Sequence, residues 1–247
     1  MGILYLLYNS DLLKIPDVKL REKMLLFVDD AVMLVTGKDF TVTHKKLHTI
    51  MTRTNGIFNW AALHNCEFRI EKFQLLDFTK KLVPHLFNSR RNVATPHKAL
   101  RLSNHCIPST DTAKFLGMIL DNKLLWKAQS VAALTKVQDW FLRFSRIAKT
   151  TKNVHAKYLQ QLYLSTAIPH ILHATNIFLT PQQHTGKRLS NGKPTLAVMN
   201  KLATIHRKVA ILITGALSTT DTDTAMTLAN LPPFHTIINN HHHNAAI

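Results

Sequence analysis

Apolar residues run almost unbroken from Met24 to Val35, interrupted once by Asp29-Asp30. Both flanks carry the residue types that fill strands, so the pattern predicts a β-hairpin with the aspartates at its turn. Tyr5 to Leu13 is apolar all round and predicts a well-buried helix. Phe40 to Leu63 reads as one long helix: Leu47, Ile50, Met51, Ile57/Phe58 and Ala61/Ala62 recur at helical spacing, with Gly56 a loose point. Phe68–Ile70, Gln74–Phe78, Leu100–Leu102 and Ala113–Leu120 read as strands, and Ser89 to Pro96 as a basic loop. Asp121-Asn122-Lys123 reads as the turn after the last of these strands.

Beyond Trp126 the period becomes helical. Lys127 to Thr150 places Val137, Trp140/Phe141, Phe144 and Ile147/Ala148 on one stripe. Ala156 to Phe178 is a second helix, kinked at Pro169. Thr180 to Pro194 is a polar loop, Leu196 to Gly215 a third helix with Gly215 as its cap, and Thr222 to Leu231 a short fourth closed by Pro232-Pro233. The expected fold is therefore α+β, with strands and helices over 1–126 and helices over 127–247.

Composition narrows the class. The chain has 247 residues, 46% of them apolar and 18% charged, which describes a globular protein with a real core. Cys66 and Cys106, the only cysteines, cannot build a disulfide framework and are expected as buried thiols in a reducing compartment. No stretch reaches the ~18 apolar residues of a membrane span. The N-terminus has neither the leading cation nor the cleavage site of a signal peptide, so the chain is expected to be intracellular, not secreted and without a membrane partner. Charge is uneven: the net is +17, and no acidic residue lies between Trp140 and Thr220. Such self-repulsion points to a polyanionic partner, nucleic acid first.

Three groups of residues carry candidate chemistry. A carboxylate pair held still by two buried strands suits Mg²⁺, which prefers hard oxygen ligands; taken alone, Asp29-Asp30 reads first as an ordinary polar turn. Lys127, Lys136, Arg143, Arg146, Lys149, Lys152 and Lys157 are expected to form a basic face that follows phosphates. His64/Cys66 and His105/Cys106 fit no common zinc spacing, and His241-His242-His243 reads as a polar tail.

The order of these segments resembles a reverse transcriptase of the non-LTR (LINE-type) retrotransposon family. Phe27-Val28-Asp29-Asp30 matches its aromatic-x-Asp-Asp signature, and Ile3 to Leu13 resembles the palm helix before it. Trp60 to Lys81, with Asn65 to Lys72 and Asp77-Phe78-Thr79-Lys80-Lys81, resembles the next palm segment. Lys114-Phe115-Leu116-Gly117-Met118-Ile119-Leu120-Asp121 resembles the strand pair that grips the primer, and Arg207-Lys208-Val209 with Ile213 to Ala216 the helices after the thumb.

This resemblance implies a partial palm followed by a helical thumb and connection. It implies RNA-directed DNA synthesis by two-metal nucleotidyl transfer, with Mg²⁺ or Mn²⁺ ions roughly 3.5–4 Å apart. Asp29 would ligate metal, Asp30 would support the site, Lys72 would meet the leaving pyrophosphate, and Phe115-Leu116-Gly117 would form the primer grip. The partners implied are an RNA template, a DNA primer and their duplex, with deoxynucleotides bound only by the complete enzyme, in a cycle that reaches the nucleus. The family's other catalytic aspartate and its fingers precede the part this chain matches. Asp11, Asp17 and Asp39 are poor replacements, and the chain alone is expected to be inactive. The alternative is a non-enzymatic, basic nucleic-acid-binding relic of the element.

Overall fold

The computed structural model describes residues 2–28, 30–79, 82–85, 88–102, 104–148, 154–179 and 194–246. The chain is mixed α+β and divides into two compact units, Met1–Leu124 and Leu125–Ile247.

The first unit starts with α1 (Gly2–Asn9) and a 3₁₀ turn (Ser10–Lys14). The apolar run there does not give a buried helix: Leu4, Leu7, Tyr8 and Leu13 are exposed, and of the described side chains only Leu12 and Asn9 are buried. β1 (Glu22–Phe27) pairs antiparallel with β2 (Asp30–Val35), and Phe27 opposite Asp30 closes the expected hairpin. Alternation sends Met24, Leu26 and Met33 to the core, whereas Leu25, Phe27 and Leu34 face water. Lys46 fastens the open end of the hairpin, its Nζ donating to the carbonyls of Leu20 (2.7 Å) and Thr36 (2.9 Å).

The expected long helix is two helices, α2 (Phe40–Thr52) and α3 (Ile57–Leu63). The break has a steric cause. A Cβ on Gly56 would lie 2.5 Å from the Ile50 carbonyl oxygen and 2.8 Å from that of Arg53, so the chain turns back on itself where only glycine fits. Arg53 leaves helical geometry there and sends its guanidinium to the buried Glu22 carboxylate (3.2 Å) and the Ile15 carbonyl. Ile50, Met51, Ile57, Trp60, Leu75, Leu100, Leu102 and Ile107 form this unit's core.

Strand pairs make up the rest of the unit. β3 (Leu82–His85) pairs with β4 (Asn88–Ala94), β5 (Leu100–Leu102) with β6 (His105–Ile107), and β7 (Thr112–Phe115) with β8 (Met118–Asp121). The expected basic loop from Ser89 is thus largely strand, because Leu82–His85 supplies its backbone partners. Phe68–Ile70 is not a strand; a 3₁₀ turn occupies Ile70–Lys72, and of Gln74–Phe78 only Leu75 makes a bridge, to Ser109. Ala113–Leu120 is a hairpin, not one strand. Leu116 (φ 48°) and Gly117 (φ 78°) are both left-handed, as a two-residue turn between right-twisted strands requires. All sheets among the described residues are two-stranded.

The second unit is helical. α4 (Lys127–Ile147) buries Val137 and Phe144, with Trp140 and Phe141 half-buried beside them; Ile147, expected on that stripe, is exposed. The second helix is broken into α5 (Ala156–Leu162), a π turn (Tyr163–Ala167), α6 (Ile168–Leu172) and α7 (Thr175–Phe178). The wide turn precedes Pro169, whose ring would press on the carbonyl four residues back in a regular helix. α8 (Pro194–Thr214) ends at left-handed Gly215 (φ 68°), and α9 (Thr222–Leu228) follows. The histidine tail is no loose end: it lies in α10 (Phe234–Asn244), and His242 is buried. Apolar Phe234 and Ile238 at helical spacing turn that segment inward.

Candidate nucleic-acid interface and acidic turn

The hairpin tip lies between Phe27 and Asp30, which pair across it, and Val28 follows Phe27 there. Val28 is left-handed (φ 53°), a costly conformation for a β-branched residue, and its carbonyl accepts from Asn9 Nδ2 at 3.2 Å. Asn9 is buried at the end of α1, so the helix holds the tip. Asp30 opens β2 and is exposed; Asp29 lies outside the described residues. Among the described residues no three His, Cys, Asp or Glu side chains gather as metal ligands.

The three other aspartates weighed for that role have local tasks. Asp11 is exposed and bonds Lys14 at 2.7 Å, which holds its carboxyl below the usual range. Asp17 accepts from the Lys19 amide at 2.8 Å, and Asp39 caps α2 by accepting from the Val42 amide at 2.8 Å. Lys72 ends a 3₁₀ turn, exposed, with no ion pair to Asp30. Phe115, Leu116 and Gly117 occupy the tip of the β7–β8 hairpin, where Leu116 and Gly117 face solvent and Phe115 is half-buried.

Sequence reasoning missed the polar core of the first unit. Asp77, 6% exposed, accepts from His44 Nε2 at 2.9 Å, and His97 Nδ1 stands 3.6 Å from its other oxygen. Phe40 stacks on both imidazoles, with centroids 6.3 Å and 5.3 Å away. The signal was one acid inside Leu75-Leu76-Asp77-Phe78. Both thiols, expected to be buried, are exposed, and Cys66 Sγ lies 3.0 Å from the Tyr8 hydroxyl.

Basic side chains dominate the second unit, with 13 Lys and Arg against 3 Asp. Lys127, Lys136, Arg143, Arg146 and Lys157 are all exposed, while Lys149 and Lys152 lie outside the described residues. At 100° per residue, Lys136, Arg143 and Arg146 share one flank of α4, and Lys127 sits about 180° from Lys136. Lys127 therefore does not belong to that flank, and Asp139 interrupts it. Lys201 and Lys208 are exposed on one face of α8; their seven-residue spacing was the available signal. Among the described residues of this unit no Lys or Arg forms an ion pair. Arg207 is occupied otherwise. It donates to Thr222 Oγ1 (3.0 Å) and to the carbonyls of Ser218 (3.0 Å) and Thr220 (2.6 Å), pinning the loop before α9.

Inside this unit Tyr163 Oη and His206 Nδ1 are 2.5 Å apart, and His206 Nε2 donates to the Pro232 carbonyl at 3.0 Å. Nδ1 is then the acceptor of the tyrosine proton. Burial pushes the Tyr163 phenol above its usual range and pulls His206 below the ordinary 6.5.

Comparison with protein-family models, with curated proteins and with solved structures found no match to this chain.

Proposed function

We propose that this chain binds the phosphate backbone of a nucleic acid through its second unit. The observation that carries this reading is the set of exposed cations on α4, α5 and α8 with no carboxylate paired to them. Unpaired cations at this density repel one another, and a polyanion relieves that repulsion while releasing counterions. The resemblance supports a further reading: the chain is a palm-and-thumb piece of a non-LTR reverse transcriptase, and its polyanion is an RNA–DNA template–primer duplex. The parent reaction would be RNA-templated DNA synthesis with Mg²⁺. On this reading the chain binds the duplex, and the primer-extension arm below tests whether Asp29 supports synthesis.

The test is fluorescence anisotropy of a labelled 20-base-pair duplex across a salt series. If Lys136, Arg143, Arg146, Lys157, Lys201 and Lys208 each meet a phosphate, log affinity falls with log salt at a slope of about −5. Changing Lys136, Arg143 and Arg146 together to Gln makes the slope shallower by about 3. A flat salt response overturns the proposal. Primer extension on an RNA template that vanishes in Asp29→Asn would replace it with the polymerase reading.

A further inference from the structure

Tyr158, on α5, is 65% exposed, while Leu159 beside it and Tyr163 one turn on are buried. Packing therefore does not account for its ring. His155 meets that ring edge-on, with centroids 6.2 Å apart and planes at 70°. The imidazole is itself fixed: its Nδ1 accepts from the Lys157 amide at 3.2 Å, which leaves the proton on Nε2. Nε2–H has no partner among the described residues and is free to donate. The Lys157 ammonium is exposed, and no carboxylate among the described residues pairs with it. Within four residues the surface thus offers a flat aromatic face, a pinned N–H donor and a cation.

A base stacks on such a face and its phosphate meets the cation; that pairing is how unpaired strands are held without regard to sequence. A duplex keeps its bases stacked on each other and offers none to Tyr158. Resting on the nucleic-acid reading above, we infer that Tyr158 is a stacking platform for a single-stranded segment, with His155 and Lys157 at the adjoining phosphate.

The experiment compares labelled oligo-dT of 20 nucleotides with a 20-base-pair duplex, using the full chain and its Tyr158→Ala, Tyr158→Phe and Lys157→Gln variants. Tyr158→Ala is expected to weaken oligo-dT binding about tenfold, to leave its salt slope alone and to spare the duplex. Tyr158→Phe retains a stacking face and is expected to bind oligo-dT as the parent does, which separates a lost platform from a lost fold. Lys157→Gln lowers the slope by about 0.7 on the single strand. The inference is overturned if Tyr158→Ala binds oligo-dT undiminished, or loses both probes equally. If the parent chain binds neither probe, the nucleic-acid reading itself fails.

Discussion

At the scale of single residues, buried charge is decided by partners that sequence does not show. Glu22 is 2% exposed, and its carboxylate depends on the Asp17 amide (3.0 Å) and on Arg53 (3.2 Å). Removing one partner of a buried pair leaves the other charge without solvent or counterion. Arg53→Met is therefore expected to cost about 3 kcal/mol or more of stability, measured by urea denaturation. A loss below about 1 kcal/mol would mean that water reaches Glu22. Nothing near Glu22 in the sequence announces this pair, since Arg53 is 31 residues away. Asp77 is similar: its partners His44 and His97 come from distant segments. The place of Asp30 at a hairpin tip is legible because its neighbours are strand formers, and the shared flank of Lys136, Arg143 and Arg146 because helical spacing is local. Tyr158 was not legible, because exposure of an aromatic depends on what packs around it.

At the scale of elements, periodicity found the stretches and misjudged their interruptions. The β1–β2 hairpin and α4 were readable from apolar spacing. Phe40–Leu63 read as one helix because its apolar positions keep their period through the break; the reversal at Arg53–Gly56 is a tertiary event. Gly56→Ala tests that account. Its new Cβ meets backbone oxygens that cannot move independently, so the melting temperature is expected to fall by several degrees. An unchanged melt would show that the reversal relaxes freely. Ala113–Leu120 misled for the opposite reason: Leu116 puts a left-handed turn in the apolar pair Phe115-Leu116, where Gly117 is the one turn residue.

At the scale of the whole molecule, charge and histidine content tie stability and binding to solution conditions. His206 and His242, both buried in the second unit, are held below the ordinary 6.5, chiefly by burial and for His242 also by His241. The unfolded chain therefore takes up these protons before the folded unit does. Their neutral burial costs nothing above about pH 6.5, and stability drains as pH falls below it. Thermal melts at constant ionic strength are expected to show the second unit weakening between pH 7.5 and 5.5. Tyr163→Phe keeps the ring and is expected to leave that loss in place, whereas His206→Gln is expected to reduce it. A melt that does not change over this range would contradict the assignment of His206 as a buried neutral ring.

The π turn at Tyr163–Ala167 carries one residue more than a regular helix would need to cover the same ground. Its inward positions, Leu159, Tyr163 and Ala167, follow one another by fours, and Ile168 then resumes beside Ala167. α6, from Ile168 to Leu172, is thus out of phase with the helix before it. The turn acts as a reading-frame correction in space. It takes up a surplus residue locally, so that Ile168 and Ile171 of α6 still arrive at the core facing inward.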